Sequence, residues 1–144
     1  MRLLLIFLVF LLVLSIIILT LFISEFKPEK PLRNEEKACK ILEEIYKVPF
    51  RKVRPDFLIN PVTNKRLELD CYNDTLKIAL EYQGEQHYKW PNFTGQNYSQ
   101  YIQQKYRDEI KRRLCKDLGI KLIEVPYYIP HNQMKDYILK KLNE

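Results

Sequence analysis

Cysteine is scarce in this chain and carries no pattern. There are three, Cys39, Cys71 and Cys115, odd in number, widely separated and without a C-x-x-C pair. That spacing points to neither a zinc site nor a disulfide framework, and it predicts buried free thiols in a reducing compartment. Charge is missing from the N-terminus. Between Leu3 and Ile23 the only polar residues are Ser15 and Thr20. An apolar run of that length can cross a bilayer as a helix. It exceeds a usual secretory signal core, and no small-x-small cleavage pattern precedes Glu25 or Lys27. Residues 1–24 are therefore expected to stay as a transmembrane anchor. No internal repeat is visible, and about 120 residues remain outside the run, enough for one domain with a single core.

Basic residues flank the apolar run unevenly. Arg2 precedes it, whereas Lys27, Lys30, Arg33, Lys37 and Lys40 follow. The heavier flank favours a single pass that keeps the C-terminal domain in the cytoplasm. Three N-x-S/T sequons, Asn73-Asp-Thr75, Asn92-Phe-Thr94 and Asn97-Tyr-Ser99, argue the other way. Such triplets are common by chance, and the basic flank carries more weight. The net charge of +6 is concentrated in Lys105, Arg107, Lys111, Arg112, Arg113, Lys116 and Lys121, against Asp108, Glu109 and Asp117. A basic stripe suits a polyanion such as nucleic acid; a solvated helix face is the plainer alternative.

Residues 25–33 (EFKPEKPLR) read as a short extended linker. Asn34 can cap a helix to about Tyr46, with Ala38, Ile41, Leu42 and Ile45 on one face and Pro49 as a stop. A first strand is expected over 50–59, with Pro55 at an edge or bulge. Alternation of Leu67, Leu69 and Cys71 marks a second strand. Leu76 to Tyr82 forms a third, whose run Ile78-Ala79-Leu80 suits a central strand buried on both faces. After a polar and aromatic loop, a helix is predicted over 98–118 and ended by Gly119. A fourth strand over 120–125 and an amphipathic helix over 134–142 close the domain, 34–144. Helix, three strands, helix, strand, helix is an α/β layer architecture.

Chemistry concentrates in 67–88 (LELDCYNDTLKIALEYQGEQHY). Asp70 sits at the end of one apolar segment and Glu81 at the end of the next, followed by Gln83, Gly84 and His87. Phosphodiester hydrolysis needs an oxygen-ligated cation and a group that activates water. One or two carboxylates with waters suit magnesium. Two surface strand carboxylates are the bland reading, and the sequence leaves the register between the two strands open.

The block Glu81-Tyr82-Gln83-Gly84-Glu85-Gln86-His87-Tyr88 resembles the signature of very-short-patch-repair-like endonucleases, members of the restriction-endonuclease-like PD-(D/E)XK superfamily whose set includes a scattered Glu, Asp, His and Asp. The resemblance extends to Glu36-Lys37-Ala38-Cys39-Lys40, Phe50-Arg51-Lys52-Val53-Arg54-Pro55 and Leu67-Glu68-Leu69-Asp70. It continues through Arg107-Asp108-Glu109-Ile110-Lys111, Cys115 and 119–127, so that 36–127 are covered. It implies a three-layer restriction-endonuclease-like core, and an endonuclease hydrolysing DNA with Mg2+ or Mn2+.

By the same resemblance, Asp70 and Glu81 are metal ligands, and Glu36 matches the helix glutamate that ligates or supports the metal. Capping a helix is the alternative role for Glu36. Glu81 and Gln83 occupy the positions of the superfamily's E-x-K pair, and glutamine cannot serve as a base, which removes a lysine-assisted mechanism. His87 is then the general acid or base, with simple exposure as its alternative. Asp108 matches the late aspartate, or only pairs with helix cations. Lys111, one turn along, is placed to touch phosphate, and Lys105 and Arg112 extend the nucleic-acid surface. Pro55-Asp56 copies the letters of the superfamily name but falls too early, and His131 in a turn reads as structural. Trp90, Phe93, Tyr98 and Tyr101 either stack on bases or pack the loop onto the core. No cysteine cluster matches the zinc modules of some family members, which counts against sequence-specific cutting. Oligomeric state is left open, and a non-cutting nucleic-acid-binding module is the alternative function.

Overall fold

The computed structural model describes residues 2–25 and 31–144, the side chains of Leu5 and of 22–25 excepted. Most of the expected linker, with Lys27 and Lys30, lies outside the described residues. The chain divides into two compact units, Met1–Pro31 and Leu32–Glu144.

In the first unit, helix α1 (Arg2–Glu25) has a 20-residue stretch, Arg2–Leu21, long and apolar enough to span a membrane. Its two polar side chains return to its own backbone. Ser15 Oγ donates to the Leu12 carbonyl and Thr20 Oγ1 to that of Ile17, each at 2.8 Å. Such bonds leave no hydroxyl unsatisfied in hydrocarbon.

The second unit runs α2 (Asn34–Tyr46), β1 (Arg51–Val53), β2 (Leu69–Asn73), β3 (Ile78–Gln83), α3 (Tyr98–Asp117), β4 (Lys121–Pro126) and α4 (Met134–Asn143). The sheet order is β1-β2-β3-β4. The first two pairings are antiparallel and β3–β4 is parallel, so α3 supplies the crossover that a parallel pair requires. As its apolar run predicts, β3 is central, and Ile78, Ala79 and Leu80 are all buried. One face packs Cys71, Leu80, Ile123 and Val125 against Ala38 and Leu42 of α2 and Met134 and Ile138 of α4. The other packs Leu69, Tyr72 and Ala79 against Ile110 and Cys115 of α3. Helices thus cover both faces of a mixed four-stranded sheet.

Three details depart from the sequence reading. β1 stops at Val53 instead of reaching Ile59. Pro55 has no N–H for the ladder, and the chain turns there, with Leu58 N donating to the Pro55 carbonyl at 3.2 Å. The cap of α2 is Arg33, not Asn34, and α2 ends on Lys47 in the left-handed region (φ 57°), ahead of Pro49. Finally, Cys39 and Cys71 form a disulfide, their Cα atoms 5.6 Å apart, so the expectation of three free thiols holds only for buried Cys115. Their separation of 32 residues hid the pair, because α2 must pack onto the sheet before the two meet.

The sequon asparagines serve the backbone. Asn73 Oδ1 accepts from Leu76 N at 2.9 Å, Asn92 Oδ1 from Thr94 N at 3.1 Å, and Asn97 caps α3 by accepting from Gln100 N at 2.9 Å.

Candidate active site

Asp70 and Glu81 meet because the β2–β3 hairpin is antiparallel. Cys71 stands opposite Leu80, so the next rung outward carries Asp70 and Glu81. Start of one strand faces end of the other, which answers the register question. The backbone N–H of Asp70 donates to Glu81 Oε1 at 3.3 Å, and Tyr82 N–H donates to Asp70 Oδ2 at 3.2 Å. On the other side, Arg51 faces Tyr72 but Val53 faces Leu69, so β2 carries an extra residue within the interval that holds Asp70. Such bulges re-aim side chains beside functional sites.

Each carboxylate has a lysine. Lys111 Nζ of α3 reaches Glu81 Oε2 at 2.6 Å, and Lys52 Nζ of β1 lies 3.3 Å from Asp70 Oδ1. Lys52 also contacts Glu68 at 3.1 Å and Glu35 at 3.3 Å. Burial by itself would lower the pKa of Lys52, but its hydrogen bonds to Glu68, Asp70 and Glu35 outweigh that and raise it. Glu81 is 4% exposed, and burial pushes its carboxyl up to about 7 despite the opposing pull of Lys111. Two lysines from outside β3 therefore reach the acidic pair. Gln83 leaves β3 without the lysine of an E-x-K pair, and it is Lys111 of α3, expected to touch phosphate, whose amine stands at Glu81. Gln83 itself is buried and donates to Glu124 Oε1 at 3.2 Å, away from the pair.

His87 follows β3 in a single 3-10 turn, Glu85–His87, and its Nδ1 lies 2.8 Å from Asp108 Oδ2. Asp108 is 3% exposed, and Gln104 Nε2 donates to its Oδ1 at 3.2 Å. Gln104, Asp108 and Lys111 recur at helical spacing on one face of α3. His87 and Glu81 are thereby held by residues one turn apart, about 4.5 Å along the helix axis.

Glu36 does not join this group. Its side chain accepts from Arg33 N at 2.8 Å, closing the start of α2, while Glu35 reaches toward Asp70 through Lys52. Of the expected nucleic-acid contacts, Lys111 is at the pair. Lys105 donates to the His87 carbonyl at 3.0 Å, and Arg112 is bound by Glu124 and Glu109. Trp90 stacks edge-on with Tyr98, their centroids 5.1 Å apart, and both keep substantial exposure. Among the described residues no three His, Cys, Asp or Glu side chains meet as a metal cluster, so Asp70 and Glu81 would supply two ligands at most. Two carboxylates completed by waters and phosphate are what magnesium accepts.

A cleft of about 430 Å3 opens beside the pair, between the 54–68 segment and α3. Its cations are Arg54, Lys65, Arg66, Arg107 and Lys111; its carboxylates are Glu68 and Asp108. Lys52, Arg54, Lys65 and Arg66 were missed from sequence. Lys65 and Arg66 lie in a turn without a motif, and the 50–55 block gave Lys52 and Arg54 no role. The fold of 54–66 against α3 gathers Arg54, Lys65 and Arg66, and β1 brings Lys52 to Asp70.

No protein-family model and no solved structure matches the chain. It is 43% identical over 110 residues to "Uncharacterized protein 033L" of Invertebrate iridescent virus 3, covering 76% of this chain and 57% of that protein. Over 99 residues it is 48% identical to "Uncharacterized protein 307L" of Invertebrate iridescent virus 6, covering 65% and 49%. The chain thus spans about half the length of these two relatives. It is 40% identical over 111 residues to "Uncharacterized protein 094L" of Frog virus 3 (isolate Goorha), covering 74% of this chain and 69% of that protein. The chain belongs to the iridescent-virus and frog-virus family that includes protein 094L.

Proposed function

We propose that the protein is a divalent-metal-dependent endonuclease that hydrolyses DNA, with a restriction-endonuclease-like, PD-(D/E)XK core tethered to a membrane by α1. The observation that carries this reading is the pairing of Asp70 and Glu81 across the β2–β3 hairpin, with the Lys111 amine 2.6 Å from Glu81 and in the wall of a cationic cleft. Asp70 and Glu81 are the residues that would hold Mg2+ or Mn2+. A bound cation would neutralise charge developing on the phosphate. Lys111 adds a fixed positive charge at the same place, the role a lysine on β3 would otherwise fill. Asp108 holds His87 through Nδ1, and Nε2, 3.3 Å from the Gln104 amide nitrogen, is the ring nitrogen that would take a proton from water or give one to the leaving oxygen. Glu36 acts as a cap, and Lys105 and Arg112 steer DNA from the periphery.

The heavier basic flank after α1 supports a cytoplasmic domain. The Cys39–Cys71 bond is the feature that favours an oxidising side instead. Protease digestion of sealed vesicles carrying the full chain separates the two. Digestion from outside in vesicles of cytoplasm-out orientation is expected, and full protection would move the domain to the lumen.

A second reading, a non-cutting nucleic-acid-binding module, is favoured by one observation. Lys52 and Lys111 already supply the positive charge at both carboxylates. The deciding test is nicking of supercoiled plasmid by the full chain in non-ionic micelles, with Mg2+, Mn2+ or EDTA, beside Asp70→Ala and His87→Ala. Metal-dependent nicking lost in Asp70→Ala and reduced about 100-fold or more in His87→Ala is expected. No nicking by a folded wild type that still binds DNA selects the second reading.

A further inference from the structure

The cleft contains more positive charge than the acidic pair needs. Of its five cations only Lys111 contacts Glu81; the other four lie along the 54–66 segment and α3. Lys65 has no acidic partner among the described residues, and the Arg107 guanidinium meets only a neutral one, donating to Gln104 Oε1 at 2.8 Å. Arg54 pairs with Glu68 at 2.9 Å and Arg66 with Asp56 at 2.6 Å, but these arginines and Asp56 are solvent-exposed. Exposed pairs of this kind are weak and exchange readily for a phosphate. At Arg107 the cleft meets a second groove, of about 550 Å3, lined by Thr94, Gln96, Gln100 and Gln103 and by no carboxylate. Unneutralised cations followed by neutral hydrogen-bonding side chains suit an extended polyanion better than a single phosphate.

We infer that this continuous track, from Arg54, Lys65 and Arg66 across Arg107 to Gln96 and Gln100, seats the sugar–phosphate backbone of one DNA strand. The strand passes the opening where Lys111 and Asp108 lead to Glu81 and His87. The inference deepens the nuclease reading by naming the surface that presents the phosphate, and binding tests it separately from cutting. Arg112, whose guanidinium is held by Glu124 and Glu109, lies outside this track and contributes only from its periphery.

The test measures fluorescence anisotropy of a labelled 20-base-pair DNA duplex with the full chain in non-ionic micelles and EDTA, between 50 and 200 mM salt. The variants are Lys65→Ala/Arg66→Ala, Arg107→Ala and their combination, with Lys140→Ala on α4 as control. Thermal melts accompany each, and Arg107→Lys serves as a charge-retaining check. Each lost phosphate contact should lower the log–log salt slope by about 0.9, and the triple variant should bind 10- to 100-fold more weakly at 100 mM salt. Arg107→Lys and Lys140→Ala should bind as wild type does. A folded triple variant with wild-type affinity and slope would overturn the track, as would absence of binding by wild type. Tighter binding of a labelled RNA duplex, lost in the same triple variant, would keep the track but overturn DNA as its occupant. Cutting by Asp70→Ala at the wild-type rate would instead defeat Asp70 as a metal ligand, absence of cutting by wild type would defeat the nuclease reading, and either would leave the binding result standing.

Discussion

Glu81 holds a charge that its surroundings only half support. Burial raises its carboxyl from 4.5 to about 7, with Lys111 opposing. The folded chain therefore grips this proton more tightly than the unfolded chain does. The stability that Glu81 contributes is full below pH 4.5 and is lost as pH rises through 7. Over that window the unfolding free energy should fall by up to about 3 kcal/mol on account of this one group. Urea denaturation at pH 5, 6, 7 and 8 checks this, and Glu81→Gln should flatten the decline; an equally steep decline in the variant would contradict it. Asp108→Asn makes a second residue-scale test. It leaves the packing of α3 in place but changes what faces His87 Nδ1, now 2.8 Å from a carboxylate oxygen. Nicking should drop about 100-fold or more while DNA affinity holds. Equal losses in binding and nicking would show that Asp108 only supports the fold.

Among the elements, α2 and β2 are joined covalently as well as by packing. Cys39 and Cys71 close a segment with a sequence separation of 32, and Cys115 stays buried with its thiol pushed up to about 11 by burial. Alkylation of the unfolded, unreduced chain should label one cysteine, and prior reduction should raise the count to three. Mass spectrometry reads the difference, and three labels without reduction would remove the bond. Replacing both cysteines by alanine should cost about 2–4 kcal/mol. On the neighbouring turn, fully buried Leu42 seats α2 against the sheet, and Leu42→Ala should cost about 2–5 kcal/mol in a denaturant titration. These elements differed in legibility. The apolar run of β3 and Gly119 after α3 (φ 66°) declare themselves locally. β1 does not, because how far a strand extends beside a proline depends on which neighbour offers its edge.

At the scale of the whole molecule, the two units make separable demands on solvent. Every described side chain of α1 from Arg2 to Leu21 is exposed, whereas the unit Leu32–Glu144 encloses its own two-sided core. The 20-residue stretch Arg2–Leu21 is long and apolar enough to cross a bilayer. The full chain should therefore sediment with liposomes, and residues 31–144 should remain in solution with an unchanged far-UV spectrum. Flotation of the truncated chain with liposomes would assign membrane contact to the second unit instead.

What the sequence alone determined is what short-range periodicity and hydropathy encode: the apolar helix, the α2, α3 and α4 helices and the buried central strand. Each depends on residues within a few positions of one another. The tertiary structure decided everything that required distant segments to meet. It brought Lys52 and Lys111 to the acidic pair, Asp108 to His87, Cys39 to Cys71, and the cations of 54–66 to the face of α3. Gln83 shows why. A position on a strand states which side chain is present, but a lysine's charge acts through space over a few ångströms, and only packing of α3 on the sheet determines whose amine arrives.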